Sequence, residues 1–342
     1  MKNSQYIISS DPALIVTAGW SDFVLHHING NFFQTPEAYY LFEKVPGYSP
    51  FVFACIDNNT KKVCGILTGV VQQEPAFYGR LTSRSIVWGG PVVNTLEASK
   101  LLLEVYCDKI SGKAIYSQFR NMFDCTDQKE IFENVGFKYL DHLNFLVKTK
   151  VGSIEQLFSG MSKSKSRQIK KGLSTAQIVE ATTQEEVSAF YELLRKLYKE
   201  KVNKPLPPKI FFDTFFNDVV KKQLGMFLLI KSEGKIIGGI MSPILPGKAI
   251  YEWYIAGLDK EFKDQFPSIL ATWAAIEAGY KKGLDHFDFL GAGKPEADYG
   301  VREFKAKFGG ELVNFGRFEK IHQPLLMKLG TFGLKMYKFL KR

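Results

Sequence analysis

Acidic side chains inside two hydrophobic segments are the first candidates for chemistry in this sequence. In the segment YEWY, at residues 251–254, strand alternation points Glu252 and Tyr254 in the same direction, where they could orient an amine. An aromatic core strand would explain the same segment. Asp288 ends another hydrophobic stretch, beside the glycine-rich residues 291–293. A carboxylate in that position either contacts a substrate or caps the turn that follows.

A run of cations indicates a second kind of chemistry. Residues 156–179 contain no acid, and the cations that fall within nine positions of this stretch are Lys163, Lys165, Arg167, Lys170 and Lys171. Such a run, interleaved with serine, suits the phosphates of tRNA or of a nucleotide diphosphate, although a solvated helix face is the ordinary alternative. The formal net charge of +10 agrees with an anionic partner without choosing among nucleic acid, a nucleotide sugar and a membrane.

Length and composition indicate a globular protein of two domains. The chain of 342 residues exceeds the usual size of one core, and 45% hydrophobic residues exclude a disordered protein. No signal-peptide core is visible, and no apolar run approaches the ~20 residues of a membrane span. The four separated cysteines favour a reduced, cytoplasmic compartment and no metal site; they are Cys55, Cys64, Cys107 and Cys125.

The elements that must position these residues are indicated by an internal repeat. Residues 51–67 and 226–241 align without gaps at one constant offset. The matched pairs are Phe53 with Phe227, Ile56 with Ile230, Lys61 with Lys235, Gly65 with Gly239, and Ile66 with Ile240. Each copy consists of a hydrophobic strand, a polar turn and a second strand that carries a glycine, which predicts a β-hairpin.

Helix signals recur around both hairpins. Thr35 and Pro36 predict a helix start, residues 96–110 form a helical pattern, Thr183 begins a capping box with Glu186, and Pro267 starts another helix. The order helix, hairpin, strand, helix, strand, helix, strand is found twice. We therefore predict an α+β fold of two domains, residues 1–150 and 151–320, each a mixed and mostly antiparallel sheet flanked by helices.

Four short motifs resemble known families. The sequence FENVGFK at residues 132–138 is similar to the ending of GNAT acyltransferases, and two GNAT domains in one chain is the architecture of the Fem peptidyltransferases. Three further motifs are similar to the Fem family: FQTPE at 33–37, RQIKK at 167–171 and FKAKFGG at 304–310. The resemblance covers about residues 5–320 and implies two tandem GNAT domains.

The resemblance implies an aminoacyl transfer. Fem-type enzymes join an amino acid, carried as an ester on tRNA, to an amine of a peptidoglycan precursor. This reaction needs a neutral amine, a polarised carbonyl and a cationic cradle for the precursor diphosphate, but no nucleophilic side chain. The FKAKFGG motif equates Lys305 with the family's site lysine, which would hold a phosphate or stabilise the tetrahedral intermediate. A solvated cation is the alternative for this residue.

The predicted site has two parts. The catalytic set is Lys305, Tyr254, Glu252 and Asp288, and the substrate-binding set is Phe304, Arg167, Lys170, Lys171, Arg302 and Glu319. The expected partners are a nucleotide- or lipid-linked precursor of the cell envelope and tRNA. No cofactor is expected beyond the aminoacyl-tRNA or an acyl thioester as co-substrate.

The loop at residues 256–267 disfavours coenzyme A as donor. It reads AGLDKEFKDQFP, with one glycine and three acids, whereas a coenzyme A enzyme of this fold presents a glycine-rich row of backbone N–H groups to the pyrophosphate. Two alternatives to aminoacyl transfer stay open. One is an N-acyltransferase that uses a thioester donor on an amino sugar of a surface polysaccharide. The other is a non-catalytic module that binds a nucleotide sugar or RNA.

The tail at residues 321–342 predicts a basic amphipathic helix, with leucine and phenylalanine along one face and lysine along another. Such a helix could lie on the inner face of the membrane, where lipid-linked precursors are found. It could equally pack on the second domain.

Overall fold

The structure is a computed structural model that describes residues 5–73, 82–202, 205–297 and 300–330. Its strands are β1 (Tyr6–Ser9), β2 (Tyr48–Asp57), β3 (Val63–Gln72), β4 (Arg84–Trp88), β5 (Val92–Val93), β6 (Tyr116–Arg120), β7 (Lys138–Leu140), β8 (Asn144–Lys148), β9 (Gln177–Glu180), β10 (Gly225–Ser232), β11 (Lys235–Leu245), β12 (Ala249–Tyr251), β13 (Tyr254–Gly257), β14 (His286–Asp288), β15 (Glu311–Val313) and β16 (Arg317–Ile321). Its α-helices are Pro12–Thr17, Trp20–His26, Pro36–Glu43, Leu96–Ile110, Lys129–Asn134, Ile154–Gly160, Lys163–Leu173, Gln184–Leu197, Lys209–Thr214, Pro267–Lys281 and Gly300–Ala306.

These elements form two compact units, each with its own sheet. Unit 1 holds the residues up to 141 and those from 315 onward, and unit 2 holds residues 142–314. The strand order is β1-β2-β3-β4-β6-β16-β7 in unit 1 and β15-β8-β14-β12-β11-β10-β9 in unit 2, with β5 and β13 attached to β3 and β11. The neighbours β4–β6 and β12–β14 are parallel and the other pairs are antiparallel. The predicted α+β fold is confirmed.

Two strands, β8 and β16, pair with strands that are distant from them in the sequence. β8 directly follows the first stretch of unit 1, yet it pairs with β14 and β15 of unit 2. β16 follows unit 2, yet it lies between β6 and β7 of unit 1. The observed units therefore differ from the predicted division at residues 150 and 151, because a local pattern does not show which sheet a strand joins.

The internal repeat corresponds to the central hairpins, β2–β3 and β10–β11, which confirms both predicted hairpins. Its matched glycines lie where a helix packs directly on the strand. A Cβ atom on Gly65 would lie 3.3 Å from the Cβ of Ala98, and one on Gly239 would lie 3.0 Å from the ring of Phe190. The repeat thus preserves a close helix–sheet approach that a larger side chain would prevent.

The predicted helix starts are also confirmed. The Thr35 hydroxyl accepts a hydrogen bond from Ala38 N, and Thr183 and Glu186 form a capping box. The helix Leu96–Ile110 has the predicted bounds, and Pro267 begins a helix of 15 residues. The buried face of that long helix packs in the core of unit 2, with Trp273 and Ile276 almost fully buried.

The predicted tail helix lies largely outside the described residues. Ile321 still belongs to β16, and residues 324–330 are helical, with Leu325 and Leu329 exposed to 77% and 60%. In the described part of the chain, we find no helix with the length and hydrophobicity that crossing a membrane requires.

Candidate active site

The site lies where two parallel strands of unit 2 part. β12 and β14 run side by side up to the pair of Tyr251 and Asp288. Glu252 N then donates to Asp288 O at 2.9 Å, after which the chain continues into β13 and pairs with β11 instead. Glu252 and Asp288 therefore stand at the opening between the strands.

A buried ion pair occupies this opening. The Nζ atom of Lys305 lies 2.8 Å from Oε1 of Glu252, and the two side chains are 9% and 8% exposed. The same Nζ donates to the carbonyl oxygens of Phe289 and Gly291, each at 2.9 Å. An ammonium has three N–H groups, so these acceptors use all of them. In this arrangement Lys305 fixes Glu252 and the loop after β14, and it has no N–H left for a substrate.

The second oxygen of Glu252 is in a different situation. Oε2 is buried, and no described residue forms a hydrogen bond with it. Burial raises the pKa of Glu252, while the positive charge of Lys305 acts in the opposite direction. A buried carboxylate oxygen without a donor is costly, so this atom is a natural point for an amine or a water molecule to bind.

Asp288 provides the second buried carboxylate. Its Oδ1 accepts hydrogen bonds from Asn144 Nδ2 at 2.7 Å and from Leu290 N at 2.6 Å. The bond from Leu290, whose φ is +55°, shows that Asp288 caps the turn after β14. Burial also raises the pKa of Asp288, and these hydrogen bonds oppose the shift.

Together these groups can accept a proton. One buried cation faces two buried carboxylates, Glu252 and Asp288, and burial raises the pKa of both. Carboxylates with raised pKa values are suited to general acid–base catalysis near neutral pH. Of the carboxylate oxygens described above, Oε2 of Glu252 is the one without a hydrogen-bond donor.

Tyr254 lies beyond the break between β12 and β13, where it packs edge-on against Phe211 and Phe212 with ring centroids 5.7 and 5.2 Å away. Glu252 instead contacts Lys305. The expectation that Glu252 and Tyr254 act as a pair assumed one continuous strand, and the strand is interrupted between them.

Arg302, predicted to bind substrate, is engaged by its own loop. Its guanidinium donates to the carbonyl oxygens of Ala292, Pro295 and Ala297 at 3.0–3.1 Å, and also to that of Lys294. These bonds tie the loop after β14 to the helix Gly300–Ala306. Arg302 therefore positions the loop that carries the Lys305 acceptors.

The other predicted binding residues are dispersed. Arg167 and Lys170 are exposed, with the Lys170 ammonium 5.3 Å from the Phe158 ring, and Lys171 forms an exposed ion pair with Asp264 at 2.6 Å. Glu319 lies in unit 1, where it accepts a hydrogen bond from Gln118, so it belongs to a different unit from Glu252.

Phe304 lies one residue before Lys305. Its ring is partly buried, and its centroid is 4.3 Å from the ammonium of Lys165.

An internal carboxylate occupies the start of the long helix Pro267–Lys281. Asp259 accepts hydrogen bonds from Ser268 N at 3.0 Å and from Ser268 Oγ at 2.7 Å. The backbone N–H groups and dipole of a helix N-terminus form an anion site, which this side chain already uses. The loop that the sequence disfavours for a pyrophosphate thus carries its own anion at that point.

In unit 1 a buried glutamine side chain lies where the antiparallel strands β3 and β4 separate. There the side chain of Gln34, from the FQTPE motif, donates to the carbonyl oxygens of Thr68 and Trp88 and accepts from Thr68 N, at 2.7–2.9 Å. These atoms belong to β3 and β4 just beyond their last ladder pair, Val70 with Ile86. The amide therefore replaces backbone pairing where the strands separate, and the motif is structural at this residue.

Sequence reasoning did not identify two residues of the site. Asn144 holds Asp288 and Gly291, but it reaches them on β8, whose pairing no local pattern indicates. The sequence singles out Lys165 only as part of the cationic run at residues 163–171. A signal existed, because Lys165, Ile169 and Gly172 fall at helical spacing and form the buried stripe of the helix Lys163–Leu173.

Comparison with known proteins supports the predicted fold. Residues 160–305 match the family described as Acetyltransferase (GNAT) domain, and no curated protein matches the sequence. FemX has 15% identity and a TM-score of 0.70, and the match covers 91% of this chain and 97% of FemX.

Two further solved structures have similar folds. The C-terminal domain of a putative lysylphosphatidylglycerol synthetase from Agrobacterium fabrum has 12% identity and a TM-score of 0.56, with 90% of this chain and 92% of that chain covered. A tandem GNAT protein from the clavulanic acid biosynthesis pathway has 9% identity and a TM-score of 0.56, with 94% and 99% covered. The chain thus has the fold of tandem GNAT proteins, similar to that of FemX, and its residues 160–305 match a GNAT acetyltransferase domain.

Proposed function

We propose that unit 2 transfers an aminoacyl group from an ester on tRNA to an amine of a peptidoglycan precursor or a related cell-envelope acceptor. The observation that carries this proposal is the unbonded, buried Oε2 of Glu252, held beside Lys305 at the opening between the strands. The similarity of the fold to FemX supports the same reaction class.

In the proposed reaction the amine nitrogen attacks the carbonyl carbon of the ester. An N–C bond forms, the ester C–O bond breaks, and the amine loses one proton to Oε2 of Glu252. The leaving ribose oxygen then takes up that proton as it becomes a hydroxyl group. The raised pKa of Glu252 favours this exchange, because it makes the carboxylate a stronger proton acceptor than an exposed glutamate. Lys305 holds the carboxylate in place.

The donor class is supported by Asp259. A coenzyme A pyrophosphate at the start of the helix Pro267–Lys281 would have to displace a carboxylate that already accepts two hydrogen bonds from Ser268. The Asp259 carboxylate would repel a pyrophosphate at the start of this helix. A donor that places no pyrophosphate there is therefore favoured.

An acyl thioester is the second candidate donor, with an amino sugar of a surface polysaccharide as acceptor. The match to an acetyltransferase domain family favours it. The third possible function is a non-catalytic module that binds a nucleotide sugar or RNA. This function does not explain why the Lys305–Glu252 ion pair is buried.

The proposed place of action is the cytoplasm, at the inner face of the membrane. Leu325 and Leu329, exposed at the start of the tail, would contribute to a membrane contact.

The test is a transfer assay with tRNA charged with labelled amino acids and a nucleotide-linked muropeptide. We expect label on the muropeptide, and we expect Glu252→Gln to lower kcat by about 10²–10⁴-fold. Glu303→Gln is the matched control, because Glu303 is exposed on the helix that carries Lys305. Turnover of an acyl thioester without tRNA would favour the second candidate, and no turnover with either donor would leave the binding module.

A further inference from the structure

The side chain of Lys165 is buried beside two aromatic rings. Lys165 is 3% exposed, and its Nζ lies 4.3 Å from the centroid of the Phe304 ring and 4.8 Å from that of Phe308. No described residue offers an oxygen within hydrogen-bond distance of this Nζ. Among the described residues, its three N–H groups therefore have two aromatic faces beside them and no hydrogen-bond acceptor.

The charges around Lys165 do not compensate for its burial. The pKa of Lys165 is lowered to about 8, mainly by burial and also by the nearby ammonium of Lys307, while Asp259 acts in the opposite direction. The carboxylate of Asp259 is shared, because both of its oxygens accept hydrogen bonds from Ser268. A buried cation in such surroundings opposes folding. Groups that reduce stability in this way are typical of functional sites.

The location connects this cation to the candidate active site. The ring of Phe308 is 6.0 Å from that of Phe289, and the Lys305 ammonium lies 5.0 Å from the Phe289 ring. Two aromatic rings thus separate Lys165 from the Lys305–Glu252 pair. A substrate group that lies a short distance from its reacting carbonyl or amine could reach Lys165.

We infer that the Lys165 ammonium binds a phosphoryl oxygen of a substrate, with the faces of Phe304 and Phe308 around it. A phosphoryl group supplies the hydrogen-bond acceptors that the Lys165 ammonium lacks. Its negative charge also offsets the positive charges of Lys165 and Lys307. The predicted cations Arg167, Lys170 and Lys171 are exposed and differ from Lys165 in this respect. The inference rests on the proposed function for the identity of the substrate.

Two substrates of the proposed reaction carry this chemistry. The last phosphodiester of tRNA lies close to the ester on the terminal ribose, and a nucleotide-linked precursor carries a diphosphate. Binding of the trinucleotide CCA and of uridine diphosphate distinguishes the two sources, because each probe contains one of the groups without the reacting bond.

The test is isothermal titration of the full chain with each probe, for wild type, Lys165→Met and Lys282→Met. Methionine keeps the apolar stem between the rings, and Lys282 is an exposed lysine of unit 2. We expect Lys165→Met to weaken binding of one probe by roughly tenfold to a hundredfold, the loss of one charge-assisted hydrogen bond, while Lys282→Met binds as wild type does.

The inference is wrong if wild type binds neither probe or if both probes bind Lys165→Met as tightly as wild type. Circular dichroism confirms that the variant is folded. The binding readout is independent of turnover, so a failed transfer assay with Lys165-dependent binding would reject the proposed reaction and leave the phosphoryl site standing.

Discussion

Removal of the Lys305 charge should destabilise the protein in a manner that depends on pH. In Lys305→Met the carboxylates of Glu252 and Asp288 remain buried without their cation, and the carbonyl oxygens of Phe289 and Gly291 lose a donor. Breaking a buried ion pair from one side typically costs about 3–5 kcal/mol. We expect a loss of this size in the free energy of unfolding at pH 8.

The loss should shrink in acid. The folded pKa of Glu252 lies above its unfolded value of 4.5 and rises further without Lys305. A group with a raised folded pKa contributes stability that is fully present below the unfolded pKa and is lost as pH rises through the folded pKa. The slope for one proton is about 1.4 kcal/mol per pH unit. The variant should therefore approach wild type as pH falls from 8 toward the unfolded pKa of 4.5, because Glu252 takes up a proton.

Urea unfolding at several pH values, followed by tryptophan fluorescence, measures this difference. The double variant Glu252→Gln with Lys305→Met should be more stable at pH 8 than Lys305→Met alone, because it removes one of the stranded charges. Lys282→Met is the control, since Lys282 is an exposed lysine of the same unit. A loss in Lys305→Met that is equal at every pH, or a double variant no more stable than the single one, would refute the reasoning.

Three further predictions concern other parts of the chain. Gln34→Leu should lower the free energy of unfolding by about 2–4 kcal/mol, measured in urea, because backbone groups of Thr68 and Trp88 lose their partners in the core. Asp259→Asn should strengthen binding of pyrophosphate at least severalfold by calorimetry, since it removes the internal charge at the helix start; unchanged binding would weaken the donor argument. Lys165→Met should be more stable than wild type at pH 7 by up to about 3 kcal/mol, because the pKa of Lys165 falls from 10.5 to about 8 on folding. The unfolded state binds more protons between these values, so this advantage should fade as pH rises from 8 to 10.5 in pH-dependent melting.

The features that the sequence predicted well have local causes. The hairpins β2–β3 and β10–β11, and the helices that begin after Thr35 and Thr183, follow from alternation, turn residues and caps within a few positions. Because the same order of helices and strands occurs in both copies of the repeat, the α+β class could be predicted. The predicted boundary at residues 150 and 151 did not include the pairing of β8 and β16, because their partners are distant in the chain, as with Val147 opposite Phe287.

The candidate site was predicted in its residue types more than in its geometry. Glu252, Asp288 and Lys305 do meet, yet the three hydrogen bonds that occupy the Lys305 ammonium depend on a loop conformation that no motif specifies. Arg302 was expected to face a substrate and instead binds four carbonyl groups of its own loop. Whether a cation faces solvent or a ring is decided by tertiary packing, so charge runs alone could not single out Lys165.

The placement of β16 has a consequence for how the protein is made. Since β16 lies between β6 and β7, the ribosome must synthesise Arg317–Ile321 before the sheet of unit 1 can close, although β6 ends at Arg120 and β7 at Leu140. Residues 142–314, in contrast, are contiguous and can complete their sheet first. During synthesis, the edges of β6 and β7 that pair with β16 therefore stay unpaired until β16 is made. A chain truncated before residue 317 should keep these edges exposed and aggregate.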